Sequence, residues 1–172
     1  QENLARTGAD VKWVEAENLH ATLLFLGEVA DRDLTDICRL VSANVAERPA
    51  FALSVETAGC FPDPRRPRVL WVGIGEGAES LCAIHDSLEL PLMDRGYRRE
   101  NRKFTPHITL GRVKSDRASG DLTAALAKKA NWRGGETVAR EILVMGSVLT
   151  SKGPTYAVLS RAKLKLDAEE MK

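Results

Sequence analysis

The chain has 172 residues, 44% apolar and 28% charged, which suits one globular domain or two small lobes that share a core. Its net charge of +1 excludes a strongly basic protein that coats nucleic acid, while leaving room for a local basic cleft. No apolar run approaches the roughly 20 residues of a membrane span, and three scattered cysteines, Cys38, Cys60 and Cys82, without metal-type spacing point to a reduced, cytoplasmic compartment.

The run from Gln1 to Thr7 reads as the tail of a helix closed by Gly8. It has no initiator Met and no signal-peptide pattern, so a piece N-terminal to it is expected to be missing. Val11 to Val14 suits a short strand and Glu15 to Asn18 a polar turn. Leu19 to Leu26 alternates around His20 and Thr22 as a strand does, and Gly27 ends it. Helix spacing of Leu34, Ile37, Leu40, Val41 and Val45 predicts a helix from Asp31 to Glu47. Phe51 to Thr57 and Arg68 to Ile74 read as strands around a loop rich in Pro and Arg, Phe61 to Pro67. A second helix runs from Ala78 to about Met93, with Leu81, Ile84, Leu88 and Leu92 on one face. A basic loop from Arg95 to Lys103 leads into a strand from Phe104 to Arg112, and a third helix covers Leu122 to Lys129. Strands from Glu141 to Leu149 and Tyr156 to Leu164 form a hairpin linked by Ser151 to Pro154. The order of motif strand, helix, strand, strand occurs twice, which suggests an internal duplication and an α+β fold with antiparallel sheets and helices outside.

Two short runs are nearly the same, Leu19-His20-Ala21-Thr22-Leu23 and Pro106-His107-Ile108-Thr109-Leu110, about half a chain apart. Two of only three histidines lie in this matched context. On a strand, His and Thr two residues apart face the same way. Two such strands side by side gather two imidazoles and two hydroxyls around one small space. A neutral imidazole takes a proton from water and an imidazolium gives one to a leaving oxygen, which is what acid–base hydrolysis of a phosphodiester requires. Thr22 and Thr109 would donate hydroxyls to non-bridging phosphate oxygens. Strict alternation from His107 puts Gly111 on the active face and Arg112 on the other, whereas a bulge at Gly111 swings Arg112 inward to neutralise phosphate charge. The residues alone leave this open.

Arg95, Arg98, Arg99, Arg102 and Lys103, and separately Arg65, Arg66 and Arg68, are either solvated surface or a landing for a nucleic-acid backbone. Trp13, Phe25, Phe61 and Trp71 are either core residues or stacking partners for a base. His85 sits in a helical stretch with no Thr two residues on and reads as structural or surface. With no His-x-x-x-His or Cys-x-x-Cys, no zinc site and no metal or other cofactor is expected.

The chain resembles the 2H phosphoesterase superfamily, and within it the LigT-like RNA 2′,3′-cyclic phosphodiesterases, long labelled 2′-5′ RNA ligases. The resemblance rests on His20-Ala21-Thr22-Leu23 and His107-Ile108-Thr109-Leu110. It extends to the flanks Glu17-Asn18-Leu19, Phe25-Leu26-Gly27, Pro67-Arg68-Val69-Leu70-Trp71 and Phe104-Thr105-Pro106, with Gly111-Arg112 behind the second motif. It implies a single domain over residues 1–172, bilobal, with two antiparallel sheets related by a pseudo-twofold axis, one motif strand per lobe and an active-site cleft between the lobes. The family's opening strand and the start of its first helix are expected to be missing here. It also implies metal-free opening of an RNA 2′,3′-cyclic phosphate to a 2′-phosphate, with 2′-5′ ligation as the reverse. His20 and His107 would be catalytic (His107 as base, His20 as acid by family pattern), and Thr22, Thr109 and Arg112 would contact the phosphate. The expected partners are RNA ends or small cyclic nucleotides, with no membrane and no obligate protein partner. The alternatives are a phosphodiesterase for 2′-5′ oligonucleotides or small cyclic nucleotides, and a nucleotide- or RNA-binding module without turnover. Keeping both His and both Thr favours an enzyme, because binding alone needs no acid and base.

Overall fold

A computed structural model describes residues 1–98, 102–150 and 153–166. In chain order the elements are α1 (Glu2–Ala5), β1 (Val11–Trp13), a 3-10 turn (Ala16–Asn18), α2 (Asp31–Val45), β2 (Phe51–Phe61), β3 (Val69–Ile74), α3 (Ala78–Met93), β4 (His107–Val113), α4 (Ser119–Ala127), β5 (Arg133–Ala139), β6 (Glu141–Thr150) and β7 (Gly153–Lys163). This is an α+β fold with a five-stranded sheet in the order β1-β4-β3-β2-β5 and a two-stranded β6-β7 sheet, and the pairs β1/β4, β3/β4, β2/β3 and β6/β7 are antiparallel.

The chain divides into two compact units. The first comprises Gln1–Thr22, Leu53–Ala78 and Thr105–Glu136. Its core gathers Leu70 and Val72 of β3, Leu110 and Val113 of β4, Leu4 of α1, and Leu122 and Leu126 of α4. Leu70 and Leu122 are fully buried, each worth about 1.5–3 kcal/mol over exposure. The second unit comprises Leu23–Ala52, Glu79–Phe104 and Thr137–Lys172. There α2 contributes Ile37, Val41 and Val45, and α3 contributes Ile84, Leu88 and Leu92, with Ala162 and Leu164. Pro91 lies inside α3 and brings no N–H to the Ser87 carbonyl one turn back. Asn44 Nδ2 donates to that carbonyl instead, at 3.2 Å.

Several expectations need correction. Leu19 to Leu26 is not a strand: its one described pairing is an isolated antiparallel bridge between Ala21 and Ile108. Leu23, Leu24 and Leu26 all pack on the second unit's core, so both alternation phases turn the same way, which a strand with one buried face cannot do. The strand expected over Phe51 to Thr57 runs on to Phe61, because the register shifts between Glu56 and Ala58 and lets the chain keep pairing with β3. Thr57 at that shift has φ 56°, an uncommon backbone for a β-branched residue. No strand was expected where β5 lies: Arg133-Gly134-Gly135-Glu136 is glycine-rich, charged and exposed. Both His-x-Thr runs fall in the first unit, not one in each lobe. The β6-β7 hairpin forms as expected, but β7 begins at Gly153, so Gly153 and Pro154, expected in the linker, pair with Thr150 and Leu149; Ser151 and Lys152 lie outside the described residues.

Candidate active site

β4 lies between β1 and β3, paired with β3 from His107 to Arg112 and with β1 from Gly111 to Val113, so its side chains are held on defined faces. Ile108, Leu110 and Val113 pack with the first unit's core. His107 and Thr109 therefore project from the opposite face. Past Thr109 the register slips. Trp71 pairs with Thr109 and Leu70 with Gly111, so Leu110 is the extra residue of a β-bulge. Leu110 and Gly111 are both buried and Arg112 is exposed. The bulge reverses the phase and returns Arg112 to the face of His107 and Thr109. Gly111 is required at this point: a Cβ there would lie 2.7 Å from Val11 Cγ1 and 3.0 Å from Trp13 Cε3. The Gln1 side-chain amide donates to the Leu110 carbonyl at 3.0 Å and to that of Val14 at 2.6 Å, which ties down the bulge's outer edge.

The first motif is attached to this face by the Ala21–Ile108 bridge. Ile108 turns to the core, so the bridge register sets His20 opposite Thr109 and Thr22 opposite His107, on the outer face. Each imidazole is anchored in the same way. His20 Nδ1 lies 2.7 Å from the Asn18 carbonyl oxygen and His107 Nδ1 lies 2.6 Å from that of Thr105, in both cases two residues back. A carbonyl only accepts, so Nδ1 carries the hydrogen and Nε2 is the nitrogen that takes up or releases a proton in both rings.

Two aromatic residues flank His107. The Phe61 ring meets it edge-on at 5.1 Å and 81°, and Trp71 stands 6.3 Å away. The Trp71 indole lies over Gly59, where a Cβ would come within 2.4 Å of the ring. Beside them Gly73 stands opposite His107 in the register, and a Cβ there would lie 3.0 Å from Thr57 Oγ1. Of the four aromatics named as stacking candidates, Phe61 and Trp71 lie at the histidine, Trp13 packs with the core, and Phe25 is 70% exposed outside the first unit. His85 is buried, stacks on Phe104 at 4.4 Å and meets Asp86 at 2.9 Å, so of the two expected readings, structural or surface, the surface one does not hold.

The basic loops separate into different roles. Arg95 donates to the Pro91 carbonyl at the end of α3, at 2.7 Å. Arg68 pairs with Asp116 at 3.5 Å. Arg99, Glu100 and Asn101 lie outside the described residues. The three cysteines are free thiols. Burial first, and then Asp63, pushes the Cys60 thiol above its ordinary value, while burial and Asp86 raise that of Cys82. Neither is activated as a nucleophile. Among the described residues no three His, Cys, Asp or Glu side chains gather as metal ligands do, and no helix is long and apolar enough to cross a membrane.

Comparison with known proteins places this geometry in context. The profile of a family described as LigT-like phosphoesterase matches residues 1–71 and 72–156, so one His-x-Thr unit falls in each matched segment. An RNA 2′,3′-cyclic phosphodiesterase of Aeropyrum pernix is 37% identical over 163 residues, covering 95% of this chain and 92% of that one. Another of the same name from Archaeoglobus fulgidus is 41% identical over 146 residues, covering 85% of this chain and 80% of that one. Among solved structures, the TT0787 protein of Thermus thermophilus superimposes with a TM-score of 0.78 at 25% identity, over 96% of this chain and 88% of that one. Escherichia coli LigT complexed with 3′-AMP gives a TM-score of 0.72 at 26% identity, over 91% and 83%.

Proposed function

Since the chain belongs to the LigT-like phosphoesterase family, we propose that it opens the 2′,3′-cyclic phosphate at an RNA end to a 2′-phosphate, with His20 and His107 as an acid–base pair. The observation that carries this reading is the matched anchoring of the two imidazoles. Both donate Nδ1–H to a carbonyl two residues back, and both are held on one face with two threonines and an arginine. In the reaction, water attacks phosphorus opposite the 3′ oxygen. The base Nε2 takes a proton from the water as the new P–O bond forms. The P–O3′ bond breaks, and the acid Nε2–H protonates O3′. The products are a 2′-phosphate and a free 3′ hydroxyl. Resemblance to the family assigns His107 as base and His20 as acid. Thr22, Thr109 and the Arg112 guanidinium stabilise the charge that builds on the non-bridging oxygens. With the 5′ hydroxyl of a second RNA end in place of water, the same in-line attack displaces O3′ and joins the two ends through a 2′-5′ bond. The free thiols suit a reducing compartment, the cytoplasm.

The test is to incubate the purified protein, with excess EDTA, with an oligonucleotide ending in a 2′,3′-cyclic phosphate. The expected product is the 2′-phosphate at an undiminished rate. Activity that vanishes with EDTA and returns with a divalent ion would contradict the histidine-only mechanism.

A further inference from the structure

Glu56 stands opposite Gly73 in the β2/β3 register, and Gly73 stands opposite His107 in the β3/β4 register. Its neighbour Val55 packs with the first unit's core, so Glu56 projects from the other face, the one that carries His107 and Thr109. The carboxylate is held there by a built support. Ser54 is buried, and its hydroxyl accepts the Glu76 N–H at 2.8 Å and donates to Glu56 Oε1 at 2.6 Å. Gly75 makes room for it: a Cβ there would lie 1.9 Å from Oε1. The backbone is strained beside it. The register shifts just after Glu56, Thr57 takes φ 56°, and the Thr57 hydroxyl covers Gly73. Strain of this kind gathers at functional sites. Other acids of the chain have a cation: Asp116 meets Arg68, Glu141 meets Arg161 and Glu47 meets Lys165. Among the described residues no cation pairs with Glu56, and its one hydrogen-bond donor is Ser54. A carboxylate on a face that binds phosphate repels the ligand unless it meets donors of its own.

We propose that Glu56 reads the base of the terminal nucleotide and selects guanine. This rests on the cyclic-phosphate reading and adds a base preference to it. Two strand spacings separate Glu56 from His107 across the sheet, roughly 10 Å, which is the span of a nucleoside and too far for a second contact to the same phosphate. Trp71, whose ring comes within 3.5 Å of the Gly73 Cβ position, and Phe61 beside it give that stretch apolar surface. The donors of the ligand then decide what Glu56 meets. A carboxylate accepts hydrogen bonds and does not donate them, and its two oxygens keep lone pairs to spare beyond the one that Ser54 occupies. In an RNA end that carries a cyclic phosphate, O2′ and O3′ lie in the ring and O5′ is esterified. The terminal sugar therefore has no hydroxyl, and the remaining donors are on the base. Guanine offers two side by side, N1–H and N2–H, one for each carboxylate oxygen. Adenine and cytosine offer one amino group next to an accepting ring nitrogen. Uracil offers one N–H between two carbonyls, which repel a carboxylate. The order of preference is guanine, then adenine and cytosine, then uracil.

The experiment measures kcat and KM on the 5′-phosphorylated nucleoside 2′,3′-cyclic phosphates of the four bases, whose O5′ is esterified as in RNA. Wild type is compared with Glu56→Gln, Ser54→Ala and the exposed control Glu136→Gln on β5. Wild type is expected to favour guanine over uracil by about tenfold in kcat/KM, through KM, as for one bidentate contact to a base. Glu56→Gln keeps the size of the side chain and turns one acceptor into a donor, which opposes an N–H of guanine and suits a carbonyl of uracil. Its guanine preference should vanish or invert. Ser54→Ala, which frees the carboxylate to turn, should lose part of the preference, and Glu136→Gln should keep all of it. A wild type with no base preference, a Glu56→Gln variant that retains the preference, or an equal loss on all four substrates would overturn the proposal. The same proteins are titrated with the four ring-opened nucleoside 2′-phosphates. If wild type turns over none of the cyclic phosphates, the hydrolysis reading fails by itself. Binding then decides Glu56: a guanine preference that is lost in Glu56→Gln supports the assignment, and one that is absent or unmoved refutes it.

Discussion

The two His-x-Thr runs are close to the same in residues and are held by very different amounts of structure. The second lies in β4, laddered to β3 from His107 onward and to β1 from Gly111, with its imidazole flanked by Phe61 and Trp71. The first touches that sheet through the single Ala21–Ile108 bridge, and His20 and Thr22 are exposed. Yet the two rings make the same hydrogen bond, to the carbonyl two residues back, at 2.7 and 2.6 Å. The tautomer is therefore set by local chain geometry just ahead of each motif, at the Asn18 and Thr105 carbonyls, and not by the sheet. The sheet supplies position: a full ladder for His107, and one bridge that sets the register for His20.

If this comparison is right, both histidines matter alike in chemistry despite their unequal scaffolding. His107→Ala and His20→Ala should each lower kcat by about 10²–10⁴, the range for general acid–base catalysis, with little change in KM. Steady-state kinetics on a 2′,3′-cyclic phosphate would show it. A large loss at His107 with none at His20 would make the first motif a mere packing echo of the second.

Arg112 tests what the richer scaffold adds. Its presence on the active face depends on the bulge at Leu110 and Gly111. Arg112→Ala should cost about 10²–10³ in kcat/KM, as for loss of one preorganised donor to the transition state. Wild-type kinetics in this variant would mean that the guanidinium does not reach the phosphate. A smaller effect is expected from Gly111→Ala, whose Cβ must displace Val11 or Trp13. Overpacking of this kind costs about 1–3 kcal/mol of stability, readable from urea unfolding. The variant should lose activity chiefly by moving Arg112, so adding Arg112→Ala to it should cost less than in wild type.

The sequence made the chemistry legible because the motif is local: two residues apart on extended chain share a face whatever lies beside them. The helices at Asp31 and Ala78 were equally legible, since their apolar stripes repeat at helical spacing. Leu19 to Leu26 misled because Leu23, Leu24 and Leu26 turn to a second core, which no periodicity within the run reveals. The side on which Arg112 lies stayed open because a bulge changes phase without changing composition. β5 was invisible for want of β-forming residues over its first half.

The claim that the two imidazoles act as one device is tested most directly by combining their substitutions. kcat is measured for wild type, His20→Ala, His107→Ala and the double variant on one cyclic-phosphate substrate, with folding checked by circular dichroism. Residues that act as a unit are strongly non-additive. The account predicts that the double variant is barely slower than the worse single one. A double variant whose loss is the full product of the two single losses, or a single variant that is folded and turns over at the wild-type rate, would contradict it.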